Sequence, residues 1–418
     1  MSGLTSRRLV LAVLSMAVLL PRAVAAQADE VLRWNRIARD AAAAADVGPS
    51  TRFGGVAIMH LAIHDALNAT DRRFAPYRFS GPVNPAASAN AAIAAAAHAT
   101  LVALLPKGTP AFDTARREAL AAIPEGTSKA LGLKMGAEAA AAVLAARAND
   151  GSGRVVPYVP GTAPGAYRPT PPDFTPAFAM EWALVAPFAL SSAAQFRPAP
   201  PPAVGSPQAR ADMEEVRAIG AQTSRTRSAE QSEIARFWYE GSDQGWNRIA
   251  REAAAAHRLD AWESARLLAL VNVAIADSII GGVEAKYHYN YWRPVTAIRE
   301  AGETEWLSDL ETPAVPDYPS THTVQGAAVA AVLSRFFETD FVTFSMTSGD
   351  PYPGITRRFW SFSQAARENG ASRVLAGIHF TSAVQAGYEQ GDRIGAWAFE
   401  HLLRPSPARQ PLPSFKQP

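Results

Sequence analysis

The segment Trp34-Asn35-Arg36-Ile37-Ala38-Arg39-Asp40, followed by four alanines, recurs 212 residues later as Trp246-Asn247-Arg248-Ile249-Ala250-Arg251-Glu252, again followed by four alanines. The same offset pairs Ile63 and Asp65 with Ile275 and Asp277, and Pro82-Val83 with Pro294-Val295. A constant offset over this span implies a duplicated unit. Alanine is frequent and β-branched runs are short, so the unit is helical. With 418 residues, 48% hydrophobic and 19% charged, the chain can bury a large core. The length suits about two domains of ~100–200 residues. The expected fold is therefore all-α, with two related bundles of the four-helix type joined by a long proline-rich irregular segment.

The boundaries follow composition. Residues 1–26 read as an export signal: Arg7 and Arg8 precede an apolar stretch from Leu9 to Leu20, and Ala23-Val24-Ala25 offers a cleavage site. Ser6-Arg7-Arg8 with Leu9-Val10-Leu11 also suits a twin-arginine signal, so a periplasmic or secreted location by either route is expected. Residues 29–150 should form the first bundle, with helices near 30–46, 52–70, 84–105, 110–123 and 127–148. Residues 151–210 are rich in proline, and their aromatic residues suggest packing against the surface. Residues 211–404 should form the second bundle, with helices near 208–222, 226–238, 244–256, 260–285, 322–337, 354–369 and 371–402. Residues 405–418 are a proline-rich tail. No stretch after the signal has 18 uninterrupted apolar residues, so no membrane span is expected in the mature protein.

Charge and cysteine content narrow the chemistry. The net charge is only +2, with 40 basic against 38 acidic residues, which argues against a nucleic-acid surface. There are no cysteines, which excludes disulfides, thiol catalysis, zinc–thiolate sites and iron–sulfur clusters. Any cationic site must be local.

Three short segments in the second half supply such a site. Lys286 and Arg293 are seven apart and precede Pro294. The residue before proline avoids the α region, so Lys286 should end a helix and Arg293 should lie on the following loop, both turned inward. Tyr287, His288, Tyr289, Tyr291 and Trp292 would wall the site. Pro319-Ser320-Thr321-His322 reads as a helix start, with Ser320 able to cap and His322 in the first turn. Such a start offers free N–H groups and a positive dipole end. Ser372-Arg373 and His379 should share a helix. Arg373 can grip two oxygens, and His379 can ligate a metal-oxo centre or attack phosphorus. Singly, each segment also suits a solvated basic pair, a capped helix or a satisfied core histidine. Together they make a cage for a tetrahedral oxyanion. At the 212-residue offset Phe74 and Gly81 stand where Lys286 and Arg293 would be, so the first half carries the scaffold without the site.

These segments resemble the three-part signature of the type 2 phosphatidic acid phosphatase and vanadium haloperoxidase superfamily: Lys-x6-Arg-Pro, Pro-Ser-x-His and Ser-Arg-x5-His. The length, the export signal and the connection with Arg168-Pro169-Thr170-Pro171-Pro172 resemble the soluble bacterial haloperoxidase branch. The resemblance implies a vanadate cofactor, with neither haem nor zinc. Lys286, Arg293 and Arg373 would neutralise its equatorial oxygens. Ser320 would donate a hydroxyl and Thr321 a backbone N–H. His379 would bond vanadium, and His322 would act as acid–base toward the apical oxygen and incoming peroxide, which Lys286 polarises. The substrates would be hydrogen peroxide, halide and a small organic acceptor. An extended helical surface is compatible with a homodimer. Thr321 stands where most members have glycine. Ala383 stands where many carry an aspartate that orients the ligating histidine, so another acceptor must hold His379 or leave it less well fixed.

The motif alone leaves alternatives open. A secreted acid phosphatase would use the same residues, with His379 attacking phosphorus and His322 protonating the leaving group. An inactive anion-binding protein would be consistent with Ala383. Val315, Tyr318, Tyr289 and Trp292 are candidates for setting halide preference. His60, His64 and Asp65 resemble a helical metal pair. At the repeat offset Asn272 and Ala276 replace the histidines, so they read as packing and hydrogen-bonding groups.

Overall fold

In a computed structural model, the structure describes residues 30–45 and 50–406. The segment read as an export signal and nearly all of the proline-rich tail lie outside them. The fold is all-helical apart from one small hairpin. The first half holds α1 (Glu30–Ala44), α2 (Gly55–Thr70), α3 (Ala89–Leu104), α4 (Thr109–Ala121) and α5 (Thr127–Arg147). The second holds α6 (Pro207–Ile219), α7 (Ala229–Phe237), α8 (Ser242–Ala256), α9 (Ala261–Tyr289), α10 (Pro294–Glu300) and α11 (Thr321–Phe336). It continues through the hairpin β1 (Phe344–Thr347) and β2 (Thr356–Phe359) to α12 (Phe362–Leu375) and α13 (Thr381–His401).

The sequence repeat is a structural one. Asn35 Nδ2 donates to Asn247 Oδ1 at 2.7 Å, so residues 212 apart meet face to face. Their neighbours match at the same offset: His60 Nε2 lies 2.8 Å from Asn35 Nδ2, and Asn272 exchanges bonds with Asn247. Burial, with Arg251 and Arg39 nearby, holds the His60 imidazole down to about 3, so it is neutral. Asp65 and Asp277 do equivalent work. Asp65 accepts the backbone N–H groups of Tyr77, Arg78 and Phe79, and Asp277 those of Phe188, Ala189 and Leu190. His60, His64 and Asp65 are thus buried hydrogen-bonding groups. Among the described residues no cluster of three or more such side chains could hold a metal ion.

α9 starts at a capping box formed by Asp260 and Glu263 and ends at Asn290 in the left-handed region. It is long and apolar enough to cross a membrane, yet its apolar stretch is buried in the protein core. In each half a glycine row lets two helix backbones approach. A Cβ on Gly132 or Gly136 of α5 would strike the carbonyl of Ser88 or Ala92 at α3. On α13, Gly387, Gly391 and Gly395 lie one turn apart. A Cβ there would strike Ser320 O, Val324 O or Ala328 O along α11. The second row holds the start of α11 against the start of α13, and that junction carries the site.

Several elements differ from expectation. The stretch 371–402 is two helices, because Gly377 stops the first. Its φ is +78°, its N–H bonds Val374 O, and the next N–H, of Ile378, bonds Arg373 O. This is a Schellman closure, which only a residue tolerant of the left-handed region makes cheaply. The expected helix over 354–369 is strand β2 followed by the start of α12, with Ser361 as cap. The short helix α10 was not foreseen.

Residues 151–206 run irregularly over the second half, with one 3-10 turn at Met180–Leu184. Tyr167, Trp182 and Phe188 are buried, whereas Phe174 and Phe178 are 60% and 49% exposed, so the segment packs down only in part. Its carbonyls accept hydroxyls from the end of α9, the loop after it and the segment before α11: Tyr289 to Pro198, Tyr291 to Pro202, Tyr318 to Ala199 and Tyr287 to Phe178. The aromatic run 287–292 therefore mainly fastens the connection.

Gly391→Ala should destabilise the protein by about 1–3 kcal/mol in chemical denaturation, because the α11 carbonyl has nowhere to go. An unchanged midpoint would show that the two helices can separate freely.

Candidate active site

The three segments converge. Lys286 lies in the last turn of α9, Arg293 is the N-cap of α10, Ser320 is the N-cap of α11, and Arg373 is in the last turn of α12. His379 lies in the turn between α12 and α13, not on the helix expected for it, since Gly377 redirects the chain first. Lys286, Arg293, Ser320, Arg373 and His379 are all buried. His322 and Thr321 are half-buried at the rim.

Each cation is held by backbone carbonyls. Lys286 Nζ donates to Pro316 O (2.6 Å) and Asp317 O (2.8 Å), which leaves its third proton free. Arg293 donates to Val315 O, Ile378 O and Pro313 O, and Arg373 to Trp238 O and Ser372 Oγ. Burial lowers all three: Lys286 well below its ordinary value, Arg293 below its own, Arg373 to about 10. The carboxylate that opposes Lys286 and Arg293 is Asp317, fully buried and 3.8 Å from Arg293. Three buried basic groups face one carboxylate, so the cage is rich in donors and short of negative charge, which favours an anion.

Asp317 is the acid beside the histidine in the absence of an aspartate at position 383. His379 Nδ1 lies 2.8 Å from Asp317 Oδ1. Arg293 Nη1 lies over the same ring, 3.1 Å from Nε2 and 3.4 Å from Nδ1. Burial pushes the Asp317 carboxyl up to about 7, against the pull of Arg293 and Lys286. Burial, then Arg293, Lys286 and Arg373, holds the His379 imidazole well below its ordinary range. Ala383 is packed instead: it is fully buried, and its carbonyl accepts Ser320 N–H at 2.9 Å.

Ser320 stands at the cap position, but its hydroxyl does not cap. Its oxygen accepts from Thr323 Oγ1 at 3.0 Å, so its own proton is available. The first-turn N–H groups of α11, Thr321 included, have no helical acceptor. The Thr321 methyl is accommodated because position 282 on α9 is glycine, whose Cβ would lie 2.8 Å from it. His322 Nε2 lies 3.1 Å from Glu240 O. Burial and Arg373 lower its pKa to about 3, so it is a neutral imidazole at the rim.

The expected halide wall is placed only in part. Tyr289 and Tyr318 spend their hydroxyls on the connection, and Trp292 lines a separate cavity of about 260 Å³ with Tyr291 and Phe380. Sequence reasoning missed Tyr239, whose ring lies 5.7 Å from the Arg373 guanidinium. With Pro313, Ala314 and Pro171-Pro172 it lines a cavity of about 290 Å³.

Known proteins share both the motif region and the overall shape. A family described as the VCPO second helical-bundle domain matches residues 266–406. The crystal structure of the first bacterial vanadium-dependent iodoperoxidase superposes with a TM-score of 0.80 at 26% identity, covering 91% of this chain and 98% of that one. In its site-bearing half and in its fold the chain is similar to vanadium haloperoxidases. The vanadium chloroperoxidase of Curvularia inaequalis is 26% identical, and the match spans 38% of this chain and 37% of that relative. A holo-type bacterial vanadium-dependent chloroperoxidase shares the fold, with a TM-score of 0.70 at 20% identity.

The residues present fit the vanadate of these haloperoxidases. The cage is rich in buried donors, and its histidine lies with Nδ1 2.8 Å from a carboxylate. That carboxylate–histidine arrangement is the usual outer support of a metal-bound imidazole.

Two outcomes follow. Asp317→Asn should weaken orthovanadate binding about 10–100-fold while sparing phosphate, which the unchanged cations hold. Equal effects on both anions in parallel titrations would contradict the role given to Asp317. A bound anion raises the lowered imidazoles of His322 and His379, so binding takes up protons. Sulfate keeps a fixed charge in this range, and its affinity should therefore rise as pH falls below neutrality toward the lowered imidazole values, tracked by calorimetry. A flat profile would contradict this.

Proposed function

We propose that this chain is a vanadate-dependent haloperoxidase, which uses hydrogen peroxide to oxidise halide to hypohalous acid that then halogenates small organic acceptors. The observation that carries the reading is the set of buried basic groups around a histidine whose Nδ1 faces Asp317. The likeness to vanadium-dependent relatives supports it.

Vanadate, when bound, supplies a Lewis-acid centre that activates peroxide toward halide. The chain does the rest. Lys286, Arg293 and Arg373 hold the negative charge of the oxygens without further reorganisation, since their other donors are already fixed on carbonyls. The Ser320 hydroxyl and the Thr321 N–H add neutral donors. His379 presents Nε2 as the ligand, with Asp317 holding its ring. His322, neutral and at the rim, takes the proton of incoming peroxide and returns it to the departing oxygen.

The approach of Asp317 to within 2.8 Å of His379 supports an active site over an inactive anion-binding protein. The amino-terminal segment 1–26 makes a periplasmic or secreted enzyme part of the proposal.

The test uses protein purified without phosphate and then loaded with orthovanadate. Peroxide-dependent bromination should appear only after loading, and His322→Ala should lower it about 10²–10⁴-fold. Hydrolysis of a phosphate ester that vanadate inhibits, with no bromination, would replace this reading with a secreted acid phosphatase using the same cage.

A further inference from the structure

The proline-rich connection contributes one more polar atom beside the cage. Tyr167 is fully buried. Its N–H donates to Asn290 O at 2.8 Å, its carbonyl accepts Tyr158 Oη at 2.9 Å, and its neighbour Ala166 pairs with Tyr291. These contacts fix the residue against the loop that separates Lys286 from Arg293. Its phenolic oxygen has no hydrogen-bond partner among the described residues. Burial raises this phenol to about 12, and Arg293 is the cation close enough to oppose the rise. The neighbouring phenols are already spent: Tyr158 donates to Asn290 Oδ1 and Tyr287 to Phe178 O.

A buried hydroxyl without a partner is disfavoured and calls for an explanation. The loop that Tyr167 and Ala166 bond, at Asn290 and Tyr291, runs straight into Arg293, whose Nη1 lies 3.1 Å from His379 Nε2. Tyr167 is also as deeply buried as Lys286, Arg293 and Ser320. An oxyanion only accepts hydrogen bonds, so it satisfies a donor of this kind.

We propose that Tyr167 is a further anion-binding residue, its hydroxyl donating to the tetrahedral oxyanion held by Lys286, Arg293 and Arg373. The proposal rests on the oxyanion-cage reading above and extends it: the connection completes the site as well as fastening over it. Tyr167 adds a donor without adding charge, which suits a cage already rich in buried basic groups.

The test is Tyr167→Phe in the full chain, with Tyr77→Phe in the first half as control and orthovanadate as probe. Calorimetry should show vanadate bound about tenfold more weakly by Tyr167→Phe and unchanged by Tyr77→Phe. Without anion, Tyr167→Phe should unfold at the same or a higher temperature, because an unpartnered buried oxygen has gone. The tyrosine difference absorption that accompanies anion saturation should shrink. A merely structural role predicts the opposite pattern, a lower unfolding temperature with proportionate loss of binding, and would overturn the proposal. So would vanadate affinity equal to the parent's. A parent chain that binds neither vanadate nor phosphate would sink the cage and this proposal together. Failure of bromination alone would leave the binding test standing.

Discussion

Everything at the site depends on three cations buried around one carboxylate. Lys286, Arg293 and Arg373 would not be kept in an interior at rest without compensation, and Asp317 offsets only one of them. The protein meets part of this cost by pointing the cations at backbone carbonyls from loops 313–317 and 376–379. Carbonyls satisfy donors without cancelling charge. The result is a rigid set of donors that is still electrostatically short of an anion, which is the preorganisation that oxyanion chemistry needs.

The scaffold explains how such a site stays assembled. The two halves meet across a buried network of Asn35, Asn247, His60 and Asn272, and each half packs a pair of helices through a glycine row. In the second half that row brings Ser320 and the start of α11 within bonding reach of Ala383 on α13. The first half repeats the packing without the charges. The connection is tied down by Asp277 and by four tyrosine hydroxyls from the end of α9, the loop after it and the segment before α11, so displacing it would disturb the site.

Much of this was legible because the signals were local or repeated. The offset of 212 announced the paired halves, and the proline after Arg293 kept that residue out of a helix interior. Asp317 was not legible. It is a single acid in a proline-rich loop, and its partner His379 is far along the chain. A charge argument could have found it, since three inward cations need a counter-charge and Asp317 stands just before Pro319-Ser320. The break before His379 was hidden by helical periodicity on both sides, although Gly377 was the available sign. Tyr167 gave no pattern at all, because its importance comes from what its hydroxyl lacks in the folded protein.

The most direct test of this account is a crystal structure of the protein loaded with orthovanadate. The account predicts vanadium joined to His379 Nε2, with Nδ1 still facing Asp317 and the oxygens within reach of Lys286, Arg293 and Arg373. An anion bound elsewhere, or bound in the cage with His379 turned away from it, would contradict it.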